Sequence, residues 1–269
     1  MQLFHYTDVN AVRSILENGK MWLTDMRFLN DSEEMSHGID LALELIQGDG
    51  VQSRISKEYA EAATEFVING LSEHVRMLMN FNPIFVCSFS QAPDLLSQWR
   101  AYGNYAIEFQ SDFFNEPLFE CSYDSYEKGR KAYDASLTAV RAIGRSMRDN
   151  AGIPCSEGLE AYSDLIKVAA ALKHESFSEE QEVRMIIEKI DCHYPVLFRA
   201  RSGMLIPYIE VPVPCSSIKA IHVGPMRDQE LAFKSMMMFV DEVARLKQAS
   251  GDGAVAIEVH KSKTPFRSA

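Results

Sequence analysis

The chain has 269 residues, 46% of them hydrophobic and 24% charged, and a net charge of -11. That length supports a sizeable core. The acidic balance argues against non-specific binding to a nucleic-acid backbone or an anionic membrane. The five cysteines are odd in number and form no C-x-x-C pair, so neither a disulfide framework nor a structural zinc site is expected. The opening Leu3-Phe4-His5-Tyr6-Thr7 follows no basic and apolar leader, and no apolar run is long enough to cross a bilayer. The expectation is a cytoplasmic protein with reduced thiols and no membrane partner.

Residues 2–7 read as a strand ending at a polar tip. Thr7 or Asp8 caps a helix that carries Val12, Ile15 and Leu16 on one face and stops at Gly19. Met21-Trp22-Leu23 reads as a short strand. Asp31-Ser32-Glu33-Glu34 has the form of a helix start, and that helix runs through Ile39, Leu41 and Leu45 to Gly48. Tyr59, Ala63, Phe66, Leu71 and Leu78 recur at helical spacing over about 54–78, and Asn82-Pro83 breaks the pattern. Strands are expected at 84–89, 104–109 and 118–123. Two charged helical stretches, about 125–149 and 157–173, read as an insertion packed on the outside. Strands return at 182–188, 205–211 and 218–224, followed by a helix over about 226–248 and a strand at 254–260. No low-complexity linker or fixed-period repeat interrupts the chain, which reads as a single α+β domain over 1–269.

Four polar segments carry candidate chemistry. After the strand-like Phe85-Val86-Cys87-Ser88-Phe89-Ser90, the run Asp94 to Gly103 gathers Gln98, Trp99, Arg100 and Tyr102. Trp99 and Tyr102 are three apart and share a face on a helix. A flat aromatic surface beside planar donors suits a flat, anionic or sugar-bearing ligand; a packed core helix is the alternative. His5 ends the first strand with Tyr6 and Thr7, where it can serve as donor, acid or base, or cap the next helix. Trp22 to Glu34 crowds Arg27, Asn30, Asp31 and Glu34 near a helix start, a place that favours anions unless the carboxylates only cap. On a strand opening near Gln181, Glu182, Arg184 and Ile186 share one face, giving a fixed ion pair beside a cleft or an exposed edge pair. The remaining histidines lack metal-site spacing, and neither a glycine-rich phosphate loop nor a nucleophile elbow occurs. Ser88 and Ser90 have no evident activating base.

These residues carry a resemblance. The opening match comprises His5-Tyr6-Thr7, Ser14-Ile15-Leu16 with Gly19, and Trp22-Leu23-Thr24-Asp25 with Arg27 to Asp31 and Glu34. Cys87-Ser88-Phe89-Ser90 with Asp94 to Gly103 forms the centre. Phe177 with Glu182-Val183-Arg184, Val223-Gly224-Pro225, and Ser262 with Pro265-Phe266-Arg267 complete it. In this order they resemble a bacterial family known as domain of unknown function 2971, with Val183 in place of its usual tryptophan. The His-x-Thr strand end, the Ile-Leu helix with its glycine, the serine-bearing central strand and the late strand opening on Glu182 are also similar to the ADP-ribosyltransferase superfamily.

That second resemblance implies an α+β fold with a split β-sheet core, flanked by helices, whose facing sheets pinch NAD. It implies His5 on a ribose hydroxyl, Glu182 as the late catalytic acid, and Tyr102 or Trp22 stacked on the nicotinamide ring. Arg27, Arg100 or Arg184 would hold the pyrophosphate without a metal. Tyr6, Thr7, Ser88, Ser90 and Trp99 would complete the pocket. The implied reaction cleaves the nicotinamide–ribose bond and transfers ADP-ribose to water or to a macromolecular acceptor, protein or nucleic acid. The alternatives are a nucleotide-sensing module without turnover and a metal-independent RNA-processing enzyme.

Overall fold

Strands supply the frame that positions every candidate residue. A computed structural model describes residues 1–29, 32–48, 51, 59–77, 83–189, 193–250 and 256–265, without the side chains of 32–35, 73–77 and 113. The cap expected at Asp31 and Glu34, together with Asn30, Cys192, Phe266 and Arg267, lies outside what is described. The strands are β1 (Gln2–Thr7), β2 (Lys20–Asp25), β3 (Ile84–Ser90), β4 (Tyr105–Gln110) and β5 (Leu118–Glu120). They continue as β6 (Glu182–Glu188), β7 (Leu197–Arg201), β8 (Met204–Pro212), β9 (Ile218–Val223) and β10 (Glu258–Lys261). The helices are α1 (Val9–Asn18), α2 (Ser32–Gln47), α3 (Ala60–Met77), α4 (Leu96–Tyr102), α5 (Ser125–Asp149), α6 (Ser156–Ala169) and α7 (Gln229–Ser250). None of the described helices is long and apolar enough to cross a membrane.

Local rules explain the first unit. The Asp8 carboxylate accepts from the Asn10 and Ala11 amides and so caps α1. Gly19 ends the helix with φ +62, a left-handed conformation that costs glycine nothing. The chain then returns as β2.

The sheet is mixed, with the order β10-β9-β4-β1-β3-β2-β8-β7, and β6 lies between β3 and β5. Among the described strands only β9 and β10 pair in parallel. The decisive feature is how β3 is shared. β6 pairs with it along its whole length, from Ile84↔Glu188 to Ser90↔Glu182. β1 and β2 therefore compete for its other edge, and each takes one end: Phe4↔Ser90 for β1, and Thr24↔Val86 with Asp25↔Phe85 for β2. Between them the edge at Cys87 and Ser88 has no strand partner. The sheet is split there, with β1-β4-β9-β10 leaving on one side and β2-β8-β7 on the other.

Helices cover both faces. Phe85, Phe89, Val183 and Ile209 pack one face against α1 and α7, through residues such as Leu16 and Val240. Ile84, Val86 and Ile186 pack the other face against α2, α3, α5 and α6. This corrects the expectation of an outer insertion at 125–173. Val140, Ile143 and Ile166 are fully buried, because a strand face as apolar as that of β3 and β6 needs a second covering layer. The strand expected at 118–123 stops at Glu120, and β7 was not anticipated at all.

Candidate functional site

A cavity of about 590 Å³ occupies the split between β1 and β2, a volume in the range of small-molecule sites. β1 contributes His5, Tyr6 and Thr7 to its wall, and β3 contributes Ser88 and Ser90. Trp22 comes from β2, and Gln98 and Tyr102 from α4. Glu180 and Glu182 line one end; Lys20, Arg199 and Arg201 line the wall made by β2 and β7. Eight of the twelve predicted site residues thus meet at one place: His5, Tyr6, Thr7, Trp22, Ser88, Ser90, Tyr102 and Glu182.

The strand registers explain how His5 and Glu182 both reach it. Phe4, Ser90 and Glu182 are directly opposed across β1, β3 and β6, so they share a face. His5, the next residue along β1, projects to the other face. The two groups approach the split from opposite sides of the sheet. His5 Nδ1 lies 3.0 Å from the Ser88 carbonyl oxygen, which accepts its proton. That bond fills the gap left on the β3 edge, and it fixes the tautomer, leaving Nε2 as the acceptor. Burial lowers the His5 pKa below its usual 6.5, and the bond to Ser88 only partly opposes this.

The sign of this shift gives an expected pH dependence. A base whose folded pKa is depressed stabilises the fold above its unfolded pKa, and this stability is lost as pH falls. Urea unfolding of the native chain is expected to lose stability between pH 7.5 and 5.5, and His5→Gln is expected to reduce that slope. Identical slopes in the two proteins would mean that His5 is not buried as a neutral group.

Glu182 is 5% exposed and sits in a buried charge network rather than at an edge. Arg184 donates to Glu182 from Nε (2.7 Å to Oε1) and Nη2 (3.1 Å to Oε2). Lys173 Nζ donates to Glu182 Oε2 at 2.6 Å and to Glu180 at 2.8 Å. Burial alone would raise the Glu182 carboxyl; the charges and hydrogen bonds of Arg184, then of Lys173, hold it down at about 2. Ser90 Oγ donates to the Glu180 backbone carbonyl at 2.5 Å and so ties β3 to the same corner.

The structure corrects four assignments. Arg184 is buried, and its Nη1 donates to Ala170 O at 2.7 Å, so it holds Glu182 and does not line the cavity. Arg27 is engaged by the fully buried Asp25 at 2.5 Å and also lies outside the wall. Arg100 is exposed on α4 and does not reach the cavity. Trp99 packs edge-on against Tyr6, with ring centroids 4.7 Å apart, and donates from Nε1 to Asp94 at 2.9 Å. It is a core anchor, whereas Tyr102 faces the cavity. Tyr6 is latched as well, donating to Ala92 O and accepting from the Leu95 amide; burial pushes its phenol up to about 12.

Four groups at the site escaped the sequence reading. Glu180 and Lys173 belong to the buried network; Arg199 and Arg201 lie on β7. Arg199 Nη2 donates to Thr24 Oγ1 at 2.9 Å. Its guanidinium carbon lies 5.2 Å from the Trp22 ring and 5.8 Å from the Tyr208 ring. The i, i+2 spacing of Arg199 and Arg201 was the available signal, had 197–201 been recognised as a strand. Elsewhere, folding brings His222 and His260 together with ring centroids 5.2 Å apart, and His222 Nε2 lies 2.8 Å from Glu108. Among the described residues no group of three His, Cys, Asp or Glu could hold a metal ion. No family model, curated protein or solved structure matches the chain.

Proposed function

We propose that this chain binds NAD at the sheet split and breaks its nicotinamide–ribose bond, passing ADP-ribose to water or to a protein or nucleic-acid acceptor. One observation carries the reading: His5 and Glu182 line a single cavity. The divergence of β1 and β2 from one edge of β3 supports kinship with the ADP-ribosyltransferase superfamily. The ordered motifs from His5-Tyr6-Thr7 to Val223-Gly224-Pro225 support kinship with domain of unknown function 2971.

Departure of neutral nicotinamide with the bonding electron pair leaves positive charge on the ribose, as in other glycosyl transfers. A carboxylate stabilises that charge best when it is ionised and already fixed. Glu182 is both. Its Oε1 accepts a single N–H among the described residues and keeps a lone pair for a ribose hydroxyl. His5 Nε2 accepts a proton from a ligand hydroxyl or from the attacking acceptor. Tyr102 is exposed on the wall and offers a flat face to the nicotinamide ring, whereas the Trp22 ring is taken up by Arg199 and Tyr208.

Incubation with NAD is expected to release nicotinamide, measured by chromatography. Glu182→Gln is expected to lower the rate about 10²–10³-fold with little change in NAD affinity, compared per folded molecule. One observation favours a second reading, a module that binds nucleotide without turnover: both Glu182 oxygens already face cations, which weakens their field at a sugar cation. NAD binding with no nicotinamide after hours would select that reading and remove the enzyme.

A further inference from the structure

Arg199 stands out from the other arginines of the cavity region. Arg27 and Arg184 have carboxylate partners; neither Arg199 nor Arg201 has one within 4.0 Å among the described residues. The chain carries 38 acidic residues against 27 basic ones, so a counter-ion was readily available in composition. Arg199 Nε is also enclosed without a hydrogen-bond partner. Such an orphaned donor is a cost to the fold. The guanidinium is nevertheless held in place, by Thr24 and by the Trp22 and Tyr208 rings. Arg201, two residues along β7, shares its face, and both line the cavity.

We propose that Arg199 and Arg201 form a subsite for the diphosphate of a nucleotide at the β7 end of the cavity. A planar fork of N–H donors matches tetrahedral phosphate oxygens, and a bound anion supplies the missing counter-charge and relieves the repulsion between the two arginines. The subsite does not rest on the NAD reading.

Calorimetric titration of the full chain tests this with ADP-ribose, inorganic pyrophosphate and adenosine as probes. ADP-ribose and pyrophosphate are expected to bind, and adenosine to bind far more weakly. Arg199→Gln is expected to weaken ADP-ribose binding about 10- to 100-fold, the effect of losing hydrogen bonds to a charged group. Arg199→Lys should recover only part, because an ammonium lacks the fork. Without ligand, Arg199→Gln should melt no lower than the native chain, since it removes an unsatisfied donor and a repulsion. A structural arginine would give the opposite result. Pyrophosphate binding without ADP-ribose binding would mean an inorganic-anion site and overturn the nucleotide assignment. Equal ADP-ribose affinity in native and Arg199→Gln proteins, or no binding of either anion to the native chain, would overturn the subsite. Arginine-dependent ADP-ribose binding without nicotinamide release from NAD would keep the subsite and reject the glycosidic chemistry. Nicotinamide release with an unchanged KM in Arg199→Gln would do the reverse.

Discussion

Arg184→Met is expected to lower the stability of the chain by about 3–5 kcal/mol, read as a fall in the urea midpoint at constant slope. The reason is the company that Arg184 keeps. Its side chain is 2% exposed, that of Lys173 1%, and those of Glu182 and Glu180 5% and 14%. Two cations and two carboxylates meet at the cavity wall. Removal of one cation leaves a carboxylate in low dielectric with too few donors, which costs far more than an exposed ion pair returns. Combining Arg184→Met with Glu182→Gln should restore part of the loss, with a coupling of about 0.5–3 kcal/mol. A loss below about 1 kcal/mol for the single variant would mean that water reaches the network and that the pair is effectively exposed. The acid limb follows from the same contacts. The Glu182 carboxyl titrates near 2 when folded and 4.5 is its ordinary value, so its contribution is present above about 4.5 and lost as pH falls toward 2. Glu182→Gln should flatten that limb.

Much of this arrangement was legible because it is local. Alternation placed Glu182 and Arg184 on one strand face, and the capping residue and glycine bounded α1. The strands β1, β3 and β6 followed from short apolar runs ending at polar residues. Long-range pairings were not legible. Lys173 reaches Glu182 because the chain after α6 bridges to Ser122, with the Lys173 amide donating to its carbonyl at 2.9 Å, and nothing near Lys173 announces that bridge. β7 escaped because Phe198, Ala200 and Arg201 are exposed and the strand has no core face to mark it. The hardest case was Trp99. An aromatic three residues from a tyrosine gives the same sequence signal whether it stacks on a ligand or fills a core. The decision lay with Gly224, far away in the chain, where an added Cβ would stand 2.6 Å from the Trp99 ring. The conspicuous Asp94–Gly103 run is therefore mostly scaffold, and Gln98, Ala101 and Tyr102 are its cavity-lining residues.

Gly103→Ala is expected to cost about 2–6 kcal/mol, the sum of a strained backbone and an overpacked contact. Gly103 has φ +134, and a Cβ there would lie 2.5 Å from the Thr7 carbonyl oxygen and 2.9 Å from the Asp8 amide nitrogen. Neither neighbour is the tip of a flexible side chain. Both are backbone, and Asp8 is already committed to capping α1. The wall of the cavity must move, because Thr7 ends the strand that carries His5. The substitution should therefore weaken ADP-ribose binding as well as lower the urea midpoint. Gly129→Ala supplies the contrast: Gly129 lies within α5 with nothing within 4 Å of an added Cβ. There the same methyl group should stabilise the chain by about 0.5–1 kcal/mol through helix propensity. Opposite signs from one chemical change would locate the cost at Gly103 in the close approach of α4 to the end of β1. Equal, small effects at both positions would mean that the wall yields, and that the cavity is not held rigidly from this side.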